Sequence, residues 1–96
     1  MKRLTVVATV TAKPDCVGQV KEELNRLIEP TRKEDGCVNY DLHQSKEDPA
    51  VFIFHENWDS EAHLGAHLET PHIKACQAAL ESIIESAVVH KLYQIA

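Results

Sequence analysis

The sequence predicts an α+β fold, with one four-stranded antiparallel sheet carrying two helices in the order βαββαβ. Three observations predict it. Hydrophobic periodicity runs two, then three-and-four, then two, two, three-and-four and two along the chain. The polar connector Ser45-Lys46-Glu47-Asp48-Pro49-Ala50 separates two β-rich runs by a distance suited to a hairpin. Finally, 96 residues support one hydrophobic core, since a chain of this size buries only about two-thirds of its unfolded surface, so residues 1–96 are expected to form a single domain.

In the first strand, Leu4, Val6, Ala8, Val10 and Ala12 alternate with Thr5, Val7, Thr9 and Thr11. Val7 on the threonine side suggests that both sheet faces are partly covered. After Lys13-Pro14-Asp15, the apolar residues Val17, Val20, Leu24, Leu27 and Ile28 make one helical face over 17–28. Pro30 is expected to end or kink this helix, and 31–34 to form a last turn before Asp35-Gly36. The second strand is expected over Cys37–Gln44 and the third over 51–57.

Asp59-Ser60 supplies an N-cap for a helical piece over 60–69. Thr70-Pro71 then restarts the helix, with a capping threonine followed by proline at the first position. The stripe Ile73, Cys76, Leu80, Ile83, Ile84 and Ala87 predicts a core helix reaching about residue 87, and the alternation over 88–95 a fourth strand. This order is the split βαβ unit of ferredoxin-like folds, with both helices on one sheet face. The other face then needs a cover, and Val7, Val51 and Ile53 upon it point to a homodimer packed sheet to sheet.

A net charge of −5, with no basic cluster longer than a pair, argues against a nucleic-acid partner. The apolar start at 4–10 is too short and too rich in threonine for a membrane span or a signal-peptide core, so a cytoplasmic protein with no membrane partner is expected. Cys16, Cys37 and Cys76 form no CxxC pair and are expected to be free thiols.

The residues that carry chemistry lie between Asp35 and His72. Strand parity places Tyr40 and Glu56 on the side of Phe52, Phe54 and Trp58, so a phenol and a carboxylate are set among apolar neighbours. His63 and His67, four apart on a helix, share one face, but two ligands without a third at fixed spacing make no metal site, and none is expected. An imidazole titrating near neutrality suits a proton acceptor better. His43 and His55 share a parity on neighbouring strands and, with His90, are expected to face solvent or a second copy. Arg32 is either an anion anchor or a salt-bridge partner.

Glu29-Pro30-Thr31-Arg32 with Glu34, the strand from Gly36 to Leu42, Asp48-Pro49, Phe52-x-Phe54-x-Glu56-x-Trp58, Ser60, and the histidines His67 and His72 together resemble the antibiotic biosynthesis monooxygenase superfamily of dimeric α+β barrel proteins. The resemblance covers almost the whole length and implies a pocket between sheet and helices. It also implies cofactor-free oxygenation of a small aromatic or quinol-type substrate by dioxygen, with the deprotonated substrate itself supplying the electrons. In that scheme His67 or His72 is the base, with Tyr40 and Glu56 as catalytic polar contacts. Trp58, Phe52, Phe54, His63 and Arg32 would bind substrate. Phe54 stands where oxygenase members of the superfamily carry asparagine, and Thr9 where haem-degrading members do, so haem degradation is not expected. The resemblance leaves two rivals open: an isomerase of a small phosphorylated signal molecule, and a non-enzymic dimeric binding or stress protein.

Overall fold

The computed structural model describes residues 3–96. Its elements are β1 (Leu4–Ala12), a short 3-10 turn (Pro14–Cys16), α1 (Val17–Asn25), α2 (Ile28–Arg32), β2 (Cys37–Gln44), β3 (Val51–Trp58), α3 (Glu61–Leu68), α4 (Pro71–Leu80) and β4 (Ile84–Leu92). The strands form one sheet in the order β2-β3-β1-β4, antiparallel at every junction. This is the ferredoxin-like arrangement expected from the periodicities.

Alternation sets the inner face. Leu4, Val6, Val10 and Ala12 of β1, Tyr40 of β2, and Phe52, Phe54, Glu56 and Trp58 of β3 are buried. They pack against Val20 and Leu24 of α1, Leu64 of α3, and Ile73, Cys76 and Leu80 of α4. The β2–β3 register slips at Val38, so Cys37 pairs with Trp58 while Asn39 pairs with Asn57. That bulge keeps Tyr40 opposite Glu56 on the inner face.

Two boundaries differ from the sequence expectation. The first helix breaks before Pro30, between Asn25 and Ile28, and Pro30 falls in the first turn of α2, where its missing N–H has no intrahelical partner to lose. The last helix stops at Leu80, seven residues short of the apolar stripe, and β4 begins at Ile84 instead of residue 88. The open edge of β1 pairs with 84–92, from Ala12–Ile84 to Thr5–Leu92, and the Lys13 N–H bonds the Ile83 carbonyl. Eight ladder pairings with a long β1 outweigh continuation of a helix through the β-branched pair Ile83-Ile84.

Since α4 ends so early, β4 is left almost bare, with only Ile84 partly buried. Val89 and Lys91 point to the helix side, where Lys91 Nζ reaches Glu61 Oε2 of α3 at 3.8 Å, and they rim the mouth of the cavity described next.

Candidate active site

One row of the sheet carries the polar groups. Tyr40 pairs with Glu56, Glu56 with Val6 and Val6 with Lys91, so four side chains from four strands point to the helix side in a line. The next row is Leu42, Phe54, Ala8 and Val89. Above these rows α1, α3 and α4 leave a cavity of about 360 Å³. Its walls include Val6, Ala8, Val10, Leu24, Leu27, Phe54, Leu64, Ile73 and Leu80, with Tyr40, Glu56, His67, Cys76 and Lys91 as the ionisable side chains. That volume is at the small end of ligand pockets, roughly 300–1,000 Å³, and suits one or two rings.

Glu56 is 4% exposed, and its Oε1 accepts the Trp58 indole N–H at 2.9 Å. Burial pushes its carboxyl up from 4.5 to about 7; the Trp58 bond opposes this and the charge of Glu34 adds to it. Tyr40 stacks on Phe54 at 4.9 Å, and burial raises its phenol well above the usual value, so it stays a neutral hydrogen-bond donor. Trp58 is completely buried. It does not touch the cavity itself; it braces the two groups that do, bonding Glu56 and stacking on His67 with ring centroids 4.7 Å apart.

His67 is held on three sides. Trp58 lies against its face, Tyr40 meets it edge-on at 5.5 Å, and its Nδ1 is 2.8 Å from Glu34 Oε2. Burial lowers the imidazole's proton affinity, against the pull of the Glu34 bond and charge. The neutral ring then donates Nδ1–H to Glu34, which leaves Nε2 as a lone-pair acceptor with no protein partner among the described residues. His72 Nε2 lies 2.6 Å from the same Glu34 oxygen.

Tyr40, Phe54, Glu56 and His67 are thus brought together at one cavity, and the other sequence candidates are not. His72 stands beyond Glu34, off the cavity wall. His63 is turned the other way. It packs on Gly36, whose φ is +81° and where an added Cβ would lie 2.2 Å from the imidazole, and it bonds Ser60 Oγ through Nδ1 at 2.8 Å. Phe52 is buried beside Val10 and does not itself line the cavity. Arg32 is spent on the back of the strand, where Nε donates to the Tyr40 carbonyl and Nη2 to Asp41, both at 3.1 Å. It does not line the cavity.

This fold has known counterparts. Residues 3–79 match the family described as antibiotic biosynthesis monooxygenase. The chain belongs to this family. Among similar proteins, the probable quinol monooxygenase YgiN of Escherichia coli is 33% identical over 93 residues, covering 81% of this chain and 85% of YgiN. Rv0793 of Mycobacterium tuberculosis is 31% identical over 85 residues, covering 88% and 83%. A Synechocystis relative of uncharacterised function, 27% identical, is longer, and this chain spans 63% of its length. Among solved structures, PA3566 of Pseudomonas aeruginosa superposes with a TM-score of 0.96 at 34% identity, over 100% of this chain and 97% of that one.

Two residues of this family member's site are given no site role by the sequence reading, although Glu34 is among those that carry the resemblance. Glu34 lies in a polar run after α2, where no periodicity marks it. Lys91 sits in the last strand among exposed residues, and only the pairing of β4 with β1 carries it to the cavity rim. The signal for Glu34 is indirect: His67 is buried and His72 partly buried, and both bond the same acceptor.

Proposed function

We propose that this chain is a cofactor-independent monooxygenase of small phenolic or quinol-type substrates, with His67 Nε2 as the base that removes the phenolic proton. The observation that carries this reading is the His67 environment. One imidazole nitrogen is committed to Glu34, the ring is fixed by Trp58 and Tyr40, and the other nitrogen is free beside an apolar cavity. A flat ring fits against Phe54, Leu64 and Ile73, and the Tyr40 phenol and the Glu56 carboxyl offer hydrogen bonds to its oxygens. Once deprotonated, an electron-rich ring can itself reduce dioxygen. A quinol and dioxygen give a hydroxyquinone and water, with one oxygen atom entering the ring and all four electrons coming from the substrate. The protein's share is desolvation, orientation and the first proton transfer.

The family relationship and the name of YgiN support this choice of substrate class. Arg32, the anion anchor considered for an isomerase of a phosphorylated substrate, bonds Asp41 and does not line the cavity. The reading includes a homodimer formed through the outer sheet face, supported by the Val7, Ile53 and Val88 stripe that no helix covers.

The test is oxygen uptake with a panel of hydroquinones and hydroxynaphthalenes, alongside fluorescence titration of Trp58. Wild type should consume oxygen with at least one of them, and His67→Gln should lose about 100-fold or more in kcat while still binding it. Neither uptake nor binding across the panel would overturn the proposal.

A further inference from the structure

Three potential metal-ligand atoms meet behind the cavity. Glu34 Oε2 lies 2.8 Å from His67 Nδ1 and 2.6 Å from His72 Nε2, and the three atoms are all within 4.8 Å of one another. They come from three elements: the turn after α2, α3, and the first turn of α4. The side chains of Glu34, His67 and His72 are 13%, 3% and 24% exposed, so the group is nearly dry yet open to solvent on the His72 side. Among the described residues neither lysine nor arginine pairs with Glu34; its ion-pair partners are the two imidazoles alone. With both rings neutral the group carries one uncompensated negative charge, an arrangement that burial makes costly.

We propose that Glu34, His67 and His72 bind one divalent transition-metal ion, of the class of zinc, cobalt or nickel. Two imidazole nitrogens and one carboxylate oxygen form a three-ligand set that leaves a fourth tetrahedral position for water, reached from the His72 side. Such a donor set favours these borderline ions over magnesium and calcium, which take oxygen ligands. Bonds of about 2.0–2.1 Å in a tetrahedron hold donors roughly 3.3 Å apart, so the two Glu34 contacts of 2.8 and 2.6 Å must open by about half an ångström or a little more, while the two imidazole nitrogens, within 4.8 Å of each other, close towards that spacing. The ion takes the place of the imidazole protons now directed at Glu34, and in each neutral ring that proton moves to the other nitrogen, so the neutral rings release none to solvent.

Binding changes the pocket as well. With the ion on Nδ1, the remaining imidazole proton of His67 must sit on Nε2, which turns the cavity-facing atom from an acceptor into a donor. On the functional reading above, the ion and the base role then exclude each other.

The deciding experiment uses the untagged chain, stripped with EDTA and titrated with zinc chloride by calorimetry, with cobalt(II) visible absorption reporting the geometry. One ion per chain is expected, with tetrahedral cobalt bands. Affinity should fall at least tenfold in His72→Ala and in Glu34→Gln, and hold in His63→Ala, which removes the histidine one turn from His67. If circular dichroism shows a variant unfolded, imidazole NMR of the wild type gives the same answer: zinc should shift His67 and His72 and leave His43 and His90 in place. No uptake, an unaltered affinity in the His72 and Glu34 variants, or shifts confined to other histidines would overturn the site. Each of these results is independent of whether any quinol is turned over.

Discussion

Gly36 shows how one residue fits the turn before β2 against α3. Its φ of +81° is a conformation that side chains resist, and the His63 ring occupies the space a Cβ would need. Gly36→Ala is expected to cost about 1–3 kcal/mol in urea denaturation, because strain and overlap add. Gly65→Ala is the contrasting case. It lies exposed inside α3 with nothing within 4 Å, so alanine should stabilise by about 0.5–1 kcal/mol through helix propensity. Glu56 makes a prediction of a different kind. Its carboxyl is raised from 4.5 to about 7 in the folded protein, so between these values the native state keeps a proton that the unfolded chain has lost. Stability from this group is therefore full below pH 4.5 and lost as pH rises through about 7. Relative to Glu56→Gln, wild type should lose on the order of 2–3 kcal/mol across that window, followed by denaturant melts at each pH. Cys37 and Cys76 are passive at this scale: burial pushes both thiols up to about 11, which keeps them protonated and unreactive.

At the level of elements, the break between α3 and α4 creates the site. His63 and His67 both lie within α3, one turn apart, and the break comes after them. Thr70 stops α3 and caps α4, its Oγ1 donating to the His67 carbonyl at 2.7 Å and accepting from the Ile73 N–H at 3.4 Å. The helical phase restarts at Pro71, and His72 swings to the same carboxylate as His67. Thr70→Ala should cost about 1–2 kcal/mol in thermal denaturation, and Thr70→Ser much less, since a serine hydroxyl can make both bonds. The early end of α4 has the opposite effect on the molecule. It leaves the inner side of β4 open, so the cavity has a mouth rimmed by Val89 and Lys91.

For the whole molecule, the sheet has one face under helices and one without. The bare face carries the rows Asp41-His55-Val7-His90 and His43-Ile53-Thr9-Val88. A polar seam runs beside them, with Thr5 donating to Asn57 at 2.6 Å and Asn57 to Asn39 at 2.7 Å. A half-apolar face with satisfied polar groups suits a second copy of the same sheet, as the proposed dimer requires. Light scattering after size exclusion should give twice the chain mass, and Ile53→Lys should give the monomer mass with unchanged circular dichroism. A monomeric wild type would remove the dimer from the proposal and leave the cavity as it is.

Periodicity and turn chemistry were sufficient for the strand order along the chain, the hairpin at Asp48-Pro49, the caps at Ser60 and Thr70, and the inward parity of Tyr40, Phe54, Glu56 and Trp58. These are local properties: backbone sterics and side-chain alternation act over a few residues and leave their mark in the order of residue types. The end of α4, the start of β4, the place of Lys91 and the meeting of Glu34 with His67 and His72 were settled by packing. Each depends on partners that are remote in the chain, 33 and 38 residues apart for the two Glu34 contacts, and contacts of that range leave no periodic trace in one sequence. The histidines were visible as residues from the outset, but the carboxylate that gives them a common purpose became visible only when three separate elements were folded against one another.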